Sequence, residues 1–361
     1  MILVDAHADL AYNILTFGRD YTLSAAETRR KEAGTDTPRL NGDTLLGWPE
    51  WVRGRVGLVF ATLFASPERK REGPWDTQSY TDSESAHRLY SGQLDRYHKL
   101  FEERPDRFRW IGSRSALRDH VAEWQVPGSE PPVGLVILME GADGVRRPED
   151  IREWRERGVR LVGPAWAGTR YAGGTGEPGP LTEAGRRLLR EMEELGMVLD
   201  LSHLSEESAR ESLERFGGAT IASHSNPRAL MAGSPIPERH LSDEVLRGLI
   251  ERESVIGIVL YDRFLYPGWS PDMGRSLVPL SRVGEHIDYV CQMAGDSRHV
   301  GLGSDFDGGF GVSEAPEGLD TVADLRSIGE MLTARGYSAP DVEAVMGGNW
   351  LGLLSRTLPE S

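Results

Sequence analysis

Short apolar segments rich in β-branched residues recur along the chain, and amphipathic segments with helical spacing separate most of them. The segments with strand character are Ile2–Asp9, Val56–Ala65, Val133–Glu140, Val159–Ala165, Met197–His203, Ala219–His224, Val255–Tyr261 and His299–Asp305. The segments with helical character are Ser83–Phe101, Thr182–Leu195, Ser205–Phe216, Ser242–Glu251, Ser281–Met293 and, near the C-terminus, Ala339–Leu354.

Strands that alternate with helices in this way predict an α/β protein, and this number of strands favours a (β/α)8 TIM barrel. An open, doubly wound sheet is the alternative that the count leaves open. Two stretches, residues 22–50 and 266–280, do not follow the pattern. We interpret both as loop insertions over one mouth of the barrel. The prediction is a single barrel domain over residues 1–361 with an extra C-terminal helix.

Composition and charge exclude some classes of function. Of 361 residues, 39% are hydrophobic and 27% charged, which is ordinary globular composition. A formal net charge of −15 argues against nucleic acid as a partner. The single cysteine, Cys291, allows no intrachain disulfide, as is usual in a reducing compartment. The N-terminus, MILVDAHADL, has no basic n-region and no long apolar h-region, so we expect no signal peptide. The apolar runs are too short to cross a membrane, and we expect no membrane partner and a cytoplasmic location.

The first predicted strand ends in Asp5-Ala6-His7-Ala8-Asp9. Residues two apart in a strand point the same way, so His7 and Asp9 can reach one metal ion. Taken alone, the pair has an equally good structural interpretation, because polar residues also end strands that bind nothing.

Three later strands end in residues of types that commonly bind metal ions. Glu140 ends an apolar run, where a lone buried carboxylate needs a cationic partner or a metal. His203 and His224 end two consecutive strands, and neutral imidazole is a good zinc ligand. Neighbouring parallel strands are about 4.8 Å apart, so both rings can meet on one ion. Taken one at a time, each of these three residues is more often a polar residue at a strand end than a metal ligand.

The last predicted strand is followed by Asp305 and Asp307, between glycines that permit tight turning. An Asp-Gly turn without function is the simpler interpretation of this motif. Together, however, five strand ends carry His, Asp or Glu on the same side. In an open sheet the outermost of these would stand about six strand spacings of about 4.8 Å apart, whereas in a closed barrel they converge. The prediction of a shared site therefore supports the prediction of a closed barrel, and the barrel supports the site.

With these motifs, the chain resembles the membrane (renal) dipeptidase family, zinc dipeptidases of the amidohydrolase-like superfamily. The resemblance covers almost the whole chain, and its most specific part is LTEAGRRLLREMEELGMVLDLSHLS at 181–205. The other matching motifs are DAHADL at 5–10, MEGADG at 139–144, IASHSNPRAL at 221–230 and VGLGSDFDGG at 300–309.

The resemblance implies a centre of two Zn²⁺ ions per chain. It places His7 and Asp9 on one ion and His203 and His224 on the other, with Glu140 bridging both. A hydroxide between the ions would attack the peptide carbonyl.

The resemblance also implies roles outside the ligand set. Asp305 would move the proton of the attacking water to the leaving amine. Arg239, in PERHLSDEVL at 237–246, matches the arginine that binds the substrate carboxylate. Homodimers are frequent in the family.

The substrate pocket departs from the family pattern. Trp166 stands where the family has a histidine that stabilises the oxyanion, and an indole donates one N–H bond but carries no positive charge. Arg170 is the nearest alternative donor in sequence. Ala8, Ala11 and Tyr12 stand where the family favours Asn, Pro and Trp, so Tyr12 joins Trp166 as a predicted substrate-binding residue.

The sequence thus predicts a binuclear zinc dipeptidase acting on a dipeptide or a similar small amide with a free carboxylate. Because of Trp166, hydrolysis of a non-peptide amide, a cyclic amide, a lactone or an ester stays open. The lack of a strand-end lysine weighs against relatives that use a carboxylated lysine. A non-catalytic metal-binding protein is the third alternative, and the complete ligand set disfavours it.

Overall fold

Eight parallel strands form a closed barrel in a computed structural model that describes residues Met1–Ser361. The barrel strands are β1 (Leu3–Ala8), β2 (Val56–Phe64), β6 (Val133–Glu140), β7 (Val159–Gly163), β8 (Val198–Asp200), β9 (Thr220–Ile221), β10 (Ile256–Ile258) and β11 (Val300–Leu302). Their hydrogen-bonded order is β10-β11-β1-β2-β6-β7-β8-β9. A parallel bridge between Ala222 and Ile256 joins the two ends of this order. The predicted (β/α)8 barrel is confirmed, and the open sheet is excluded.

Helices surround the barrel and cover its ends. They are α1 (Leu10–Phe17), α2 (Ala25–Glu32), α3 (Thr37–Asn41), α4 (Trp48–Gly54), α5 (Ser83–Glu103), α6 (Arg114–Gln125), α7 (Ile151–Glu156), α8 (Glu183–Glu194), α9 (Glu206–Arg215), α10 (Asp243–Glu251), α11 (Asp262–Leu265), α12 (Leu280–Ala294), α13 (Arg326–Ala334), α14 (Ala339–Glu343) and α15 (Asn349–Thr357). Three further short strands are β3 (Ser66–Pro67), β4 (Ser79–Tyr80) and β5 (Phe108–Trp110). No helix is both long and apolar enough to cross a membrane.

Several strands are shorter than the sequence pattern predicts. The predicted segment Met197–His203 contains only β8, because the Asp200 carboxylate accepts hydrogen bonds from the backbone N–H groups of Ser202 at 3.0 Å and Ser223 at 2.9 Å. These side-chain bonds replace the regular ladder where the strands approach the mouth. The apolar pattern therefore located the strands but overestimated their length.

The insertion predicted at 22–50 contains two helices, α2 and α3, and the start of a third, α4, and is not an irregular loop. Its anchor is the carboxylate of Asp307, which is fully buried at the barrel mouth. Asp307 pairs with Arg19 Nη1 at 2.9 Å and accepts hydrogen bonds from Tyr21 Oη at 2.9 Å and the backbone N–H of Leu45 at 2.8 Å. The second insertion, 266–280, has short 3₁₀ turns at Pro271–Met273 and Arg275–Leu277.

The barrel interior is packed with apolar side chains below the mouth. Val4, Leu58, Phe60 and Val136 belong to one buried cluster with Trp350 of α15. The Trp350 indole donates a hydrogen bond to the Leu302 carbonyl at 3.1 Å. Because this lower half is filled, only the upper end, where the strands finish, has space for a ligand.

Candidate metal centre

The predicted ligands come together above the packed interior, at the C-terminal ends of the barrel strands. His7 lies in β1, Glu140 ends β6, and His203 and His224 follow β8 and β9. All four side chains are buried, at 8% exposure or less. Residues far apart in sequence thus meet at one point because the barrel is closed.

Local backbone irregularities direct these side chains. The register of β1 on β2 shifts between Asp5 and Ala8, so Val4 packs in the barrel interior and His7 also reaches the barrel axis. His203 and Asp305 have left-handed backbone conformations, with φ of 67° and 61°. Non-glycine residues in this region cost on the order of 1 kcal/mol or more, and they persist where the surroundings fix them. No periodicity in the sequence predicts such positions.

The carboxylate of Glu140 lies between two groups of side chains. Its Oε2 atom is 3.5 Å from Nε2 of His7. Its Oε1 atom is 3.0 Å from Nε2 of His203 and 3.5 Å from Nε2 of His224. One oxygen therefore faces each group, which is the arrangement expected of a bridging carboxylate.

The first of these groups is His7 with two further carboxylates. The His7 Nε2 atom is 3.8 Å from Oδ1 of Asp9 and 3.8 Å from Oδ1 of Asp305. Both ring nitrogens of His7 are buried and have no hydrogen-bond partner in the protein. A buried imidazole without partners beside three carboxylates is the donor set that a metal ion satisfies.

The electrostatics of the site also fit cations. Burial opposes a charge on His7, but the carboxylates of Glu140, Asp9 and Asp305 outweigh it and raise the pKa of His7 to about 10. Burial raises the pKa of Asp305 to about 8. The carboxylates thus favour positive charge at this position.

For His203 and His224, in contrast to His7, the surroundings favour the neutral imidazole. Burial lowers the pKa of His203 to about 4, with a further contribution from Arg239, and it lowers the pKa of His224 well below its ordinary value. Their Nε2 atoms are only 3.0 Å apart. Two neutral imidazoles this close, with a carboxylate oxygen beside them, are suited to share one metal ion.

Hydrogen bonds behind the ligands fix their orientation. The hydroxyl of Thr175 is 3.0 Å from Nδ1 of His203, and the hydroxyl of Ser223 is 2.8 Å from Nδ1 of His224. Ser223 in turn donates to Asp200. A partner on Nδ1 keeps Nε2 free to bind a metal, as outer partners of metal-binding histidines usually do. Thr175 was not among the predicted site residues, because no sequence motif marks it.

The two aspartates after β11 have different environments. Asp305 faces His7, as described, whereas Asp307 pairs with Arg19 and holds the insertion at the mouth. Asp5 supports this turn from β1, since its carboxylate accepts hydrogen bonds from the backbone N–H of Ser304 at 2.7 Å and from its hydroxyl. Of the predicted pair, only Asp305 lies beside His7 and Asp9 in a group that could hold a metal ion.

A cavity of about 370 Å³ opens over the site, and Asp9, Glu140, His203 and Asp305 lie in its floor. Arg239 lines the cavity and is 2% exposed. Its Nη1 atom donates to the carbonyl of His224 at 2.8 Å, while its Nη2 atom is buried and has no partner. A guanidinium held at one end and free at the other is suited to bind an anion.

The other predicted pocket residues are distributed as follows. Trp166 and Tyr12 both line the cavity, and the Trp166 ring is 6.2 Å from the His203 ring. Arg170, which the sequence offered as an alternative donor, does not line the cavity. Its Nη2 atom donates to the carbonyls of Asp143, at 3.1 Å, and Val145, which directs the guanidinium away from the cavity.

Comparison with known proteins identifies the chain. The family model described as membrane dipeptidase (peptidase family M19) matches residues 1–358. This chain belongs to that family. It is similar to "Dipeptidase aclJ" of Aspergillus oryzae, with 29% identity over 361 residues that cover 98% of this chain and 77% of the relative. It is also similar to an uncharacterized protein from the pqqA 5′ region of Klebsiella pneumoniae, with 33% identity over 62% of this chain and 82% of that one.

Solved structures agree with the family assignment. A metallo peptidase from Rhodobacter sphaeroides, liganded with a phosphinate mimic of L-Ala-D-Ala, superposes with a TM-score of 0.77 at 25% identity, over 99% of each chain. The dipeptidase AC, also of family M19, gives a TM-score of 0.78 at 26% identity, over 100% of this chain and 99% of that one. The protein is a metallodipeptidase, and the resemblance that its motifs indicated is confirmed.

The hydrogen bond from Thr175 to His203 can be tested through metal affinity. We expect Thr175→Val to weaken zinc binding by about 10–100-fold, because the variant keeps the shape of the side chain but frees Nδ1 of His203. Competition with a chromophoric chelator measures this affinity. Thr333→Val, at an exposed position of α13, is the matched control. Equal zinc affinity in all three proteins would contradict the orienting role.

Proposed function

We propose that this metallodipeptidase uses two zinc ions, and the observation that supports the proposal is the position of Glu140. Its two oxygens face separate donor groups, one with His7 and Asp9 and the other with His203 and His224. Two-metal sites have ions about 3.5–4 Å apart, a spacing that one carboxylate can bridge. When bound, such ions act as Lewis acids on the peptide carbonyl and lower the pKa of a water to produce the nucleophile.

Asp305 is the residue that we propose moves the proton. Its carboxylate lies 3.8 Å from His7 and lines the cavity, so it is open to a substrate bound there. A carboxylate in this position can accept the proton of the attacking water and pass it to the leaving amine.

Arg239 is proposed to bind the substrate's terminal carboxylate. Its unpartnered Nη2 atom and its contact with the Phe264 ring, 5.0 Å from the guanidinium carbon to the ring centroid, give an oriented cation at one wall. A dipeptide places its carboxylate one residue from the scissile bond, which matches a cation close to the histidine pair. The substrate class that this favours is a dipeptide or a small amide with a free carboxylate.

Metal content tests the binuclear proposal directly. We expect about two zinc ions per chain in the zinc-loaded protein, and loss of dipeptide hydrolysis after chelation that returns on adding zinc. Elemental analysis by mass spectrometry measures the stoichiometry. His203→Ala should reduce zinc binding and activity together. One ion per chain in the fully active protein would contradict the bridged pair.

Arg239 predicts a dependence on the substrate carboxylate. We expect Arg239→Ala to lower kcat/KM for a dipeptide by about 10–100-fold, as loss of a charged hydrogen bond does, mainly through KM. For the same dipeptide with an amidated C-terminus, the substitution should lower kcat/KM much less. Steady-state kinetics on both substrates make the comparison, with Arg239→Lys as the charge-conserving control and thermal unfolding to check the fold. An equal decrease in kcat/KM for both substrates would contradict the proposal that Arg239 binds the substrate carboxylate.

Trp166 bears on the alternative that the substrate is a different amide or an ester. We expect Trp166→His to raise kcat for dipeptides, because an imidazole near His203 adds an oxyanion donor, which is typically worth about 10²–10³ in rate. The readout is kcat on a dipeptide set and on cyclic amide and ester substrates. If dipeptide turnover does not rise while a strong activity on a non-peptide substrate disappears, the alternative is favoured.

A further inference from the structure

One side of the cavity is lined by aromatic rings, which we call the aromatic wall: Tyr12, Phe64, Trp75 and Trp166. The Phe64 ring is 5.5 Å from that of Tyr12 and 5.0 Å from that of Trp166. Phe17 lies behind the wall, stacked on Trp75 at 5.5 Å and 6.4 Å from Tyr12. Tyr12, Phe64 and Trp166 are therefore in contact with one another in a row, and Trp75 is joined to this row through Phe17.

The central ring of the wall, Phe64, stands across the barrel from the arginine. Phe64 ends β2 and Trp166 follows β7, whereas Arg239 follows β9 and Phe264 follows β10. In the closed strand order β10-β11-β1-β2-β6-β7-β8-β9, β2 lies opposite β9, and β7 lies two strands from β9. Glu140, at the end of β6, lies in the floor between the two sides. A substrate anchored by its carboxylate at Arg239 and cleaved over this floor must direct its amino-terminal residue towards the wall.

Hydrogen bonds and ion pairs hold the wall in place. The hydroxyl of Tyr12 donates to Asp76 at 3.1 Å. Arg69, in the loop after β2, pairs with Glu177, in the loop after β7, at 2.7 Å. Glu177 also accepts a hydrogen bond from the backbone N–H of Gly168 at 3.0 Å, two residues after Trp166. A preformed surface requires little ordering on binding, so its contacts contribute to affinity.

We propose that the aromatic wall binds the side chain of the substrate's amino-terminal residue and selects large, flat side chains such as those of phenylalanine and tryptophan. The inference rests on the proposed dipeptidase function and names the substrate class of the same site. Aromatic rings gain both from area burial and from offset or edge-on ring contacts. A small side chain such as that of glycine leaves the wall uncovered.

Charge at the rim provides the competing interpretation. Glu72 lines the cavity near Trp75 and is exposed, and no arginine or lysine pairs with it. Arg71, the adjacent residue, is 3.4 Å from Glu68, and Lys70 is 3.5 Å from Glu177. A lysine side chain laid along the wall would bring its ammonium group to Glu72. The wall itself is apolar over four rings, and on this basis we favour an aromatic side chain over a cationic one.

The test is a dipeptide series with constant C-terminal alanine and with glycine, alanine, leucine, lysine, phenylalanine or tryptophan at the amino terminus. Both L- and D-alanine are used at the C-terminus. With the zinc-loaded protein, kcat/KM for the phenylalanine dipeptide should exceed that for the glycine dipeptide by about 10–100-fold, the range that apolar pockets achieve. A ratio below about threefold, or a preference for lysine over phenylalanine, would overturn the proposal.

Variants then locate the preference. Trp75→Ala and Phe64→Leu should each lower the phenylalanine-to-glycine ratio by at least about fivefold, because each removes a ring from the wall. Trp75→Phe should keep most of the ratio. Trp110→Ala, at a position 40% exposed and outside the cavity, is the matched control and should leave the ratio unchanged. An unchanged ratio in both wall variants would overturn the assignment.

The two proposals fail in different ways. If no dipeptide in the series is hydrolysed by zinc-loaded protein, the proposed function fails. If dipeptides are hydrolysed without regard to the amino-terminal side chain, only the aromatic wall loses its role, and the metal centre and Arg239 keep theirs.

Discussion

The burial of Glu140 among three imidazoles and two other carboxylates is the constraint on which the site depends. A carboxylate buried in this position needs a polar or cationic partner beside each of its oxygens. His7 provides one side and the pair of His203 and His224 the other, at 3.0–3.5 Å. Any change that moves β1, β8 or β9 relative to β6 would separate these groups. Closure of the barrel therefore also holds the metal centre together.

The chain uses hydrogen-bonded turns, rather than long strands, to bring its ligands into position. β8 and β9 are short, and the carboxylate of Asp200 accepts hydrogen bonds from backbone N–H groups beyond their ends. Asp5 does the same for the turn after β11. Behind His203 and His224, Thr175 and Ser223 fix which nitrogen faces the centre. The rigid scaffold thus continues into the loops that bear the reactive groups.

The pocket combines this rigid floor with walls of different character. Arg239 offers a desolvated cation on one side, and aromatic rings from Tyr12 to Trp166 form the other. Ion pairing of Arg69 with Glu177 joins two of the loops that carry the wall. Trp166 belongs to this wall and at the same time lies beside His203. Trp166 therefore takes part in both the surroundings of His203 and the aromatic side of the cavity.

The sequence by itself determined the architecture and the ligand types. Apolar runs separated by amphipathic helices predicted the barrel, and His7, Asp9, Glu140, His203 and His224 were recognisable because strand ends of a closed barrel must converge. Local pattern and spacing carry that information. The family resemblance then gave Asp305 and Arg239 their proposed roles.

Only the tertiary structure decided which of the similar residues share an environment. It separated Asp305, beside His7, from Asp307, which anchors the insertion through Arg19. It directed Arg170 away from the cavity and brought Thr175 to His203. These outcomes depend on left-handed backbone positions, a shift in strand register and contacts between residues distant in sequence. Such features arise from packing across the barrel, which the order of residues along one segment does not encode.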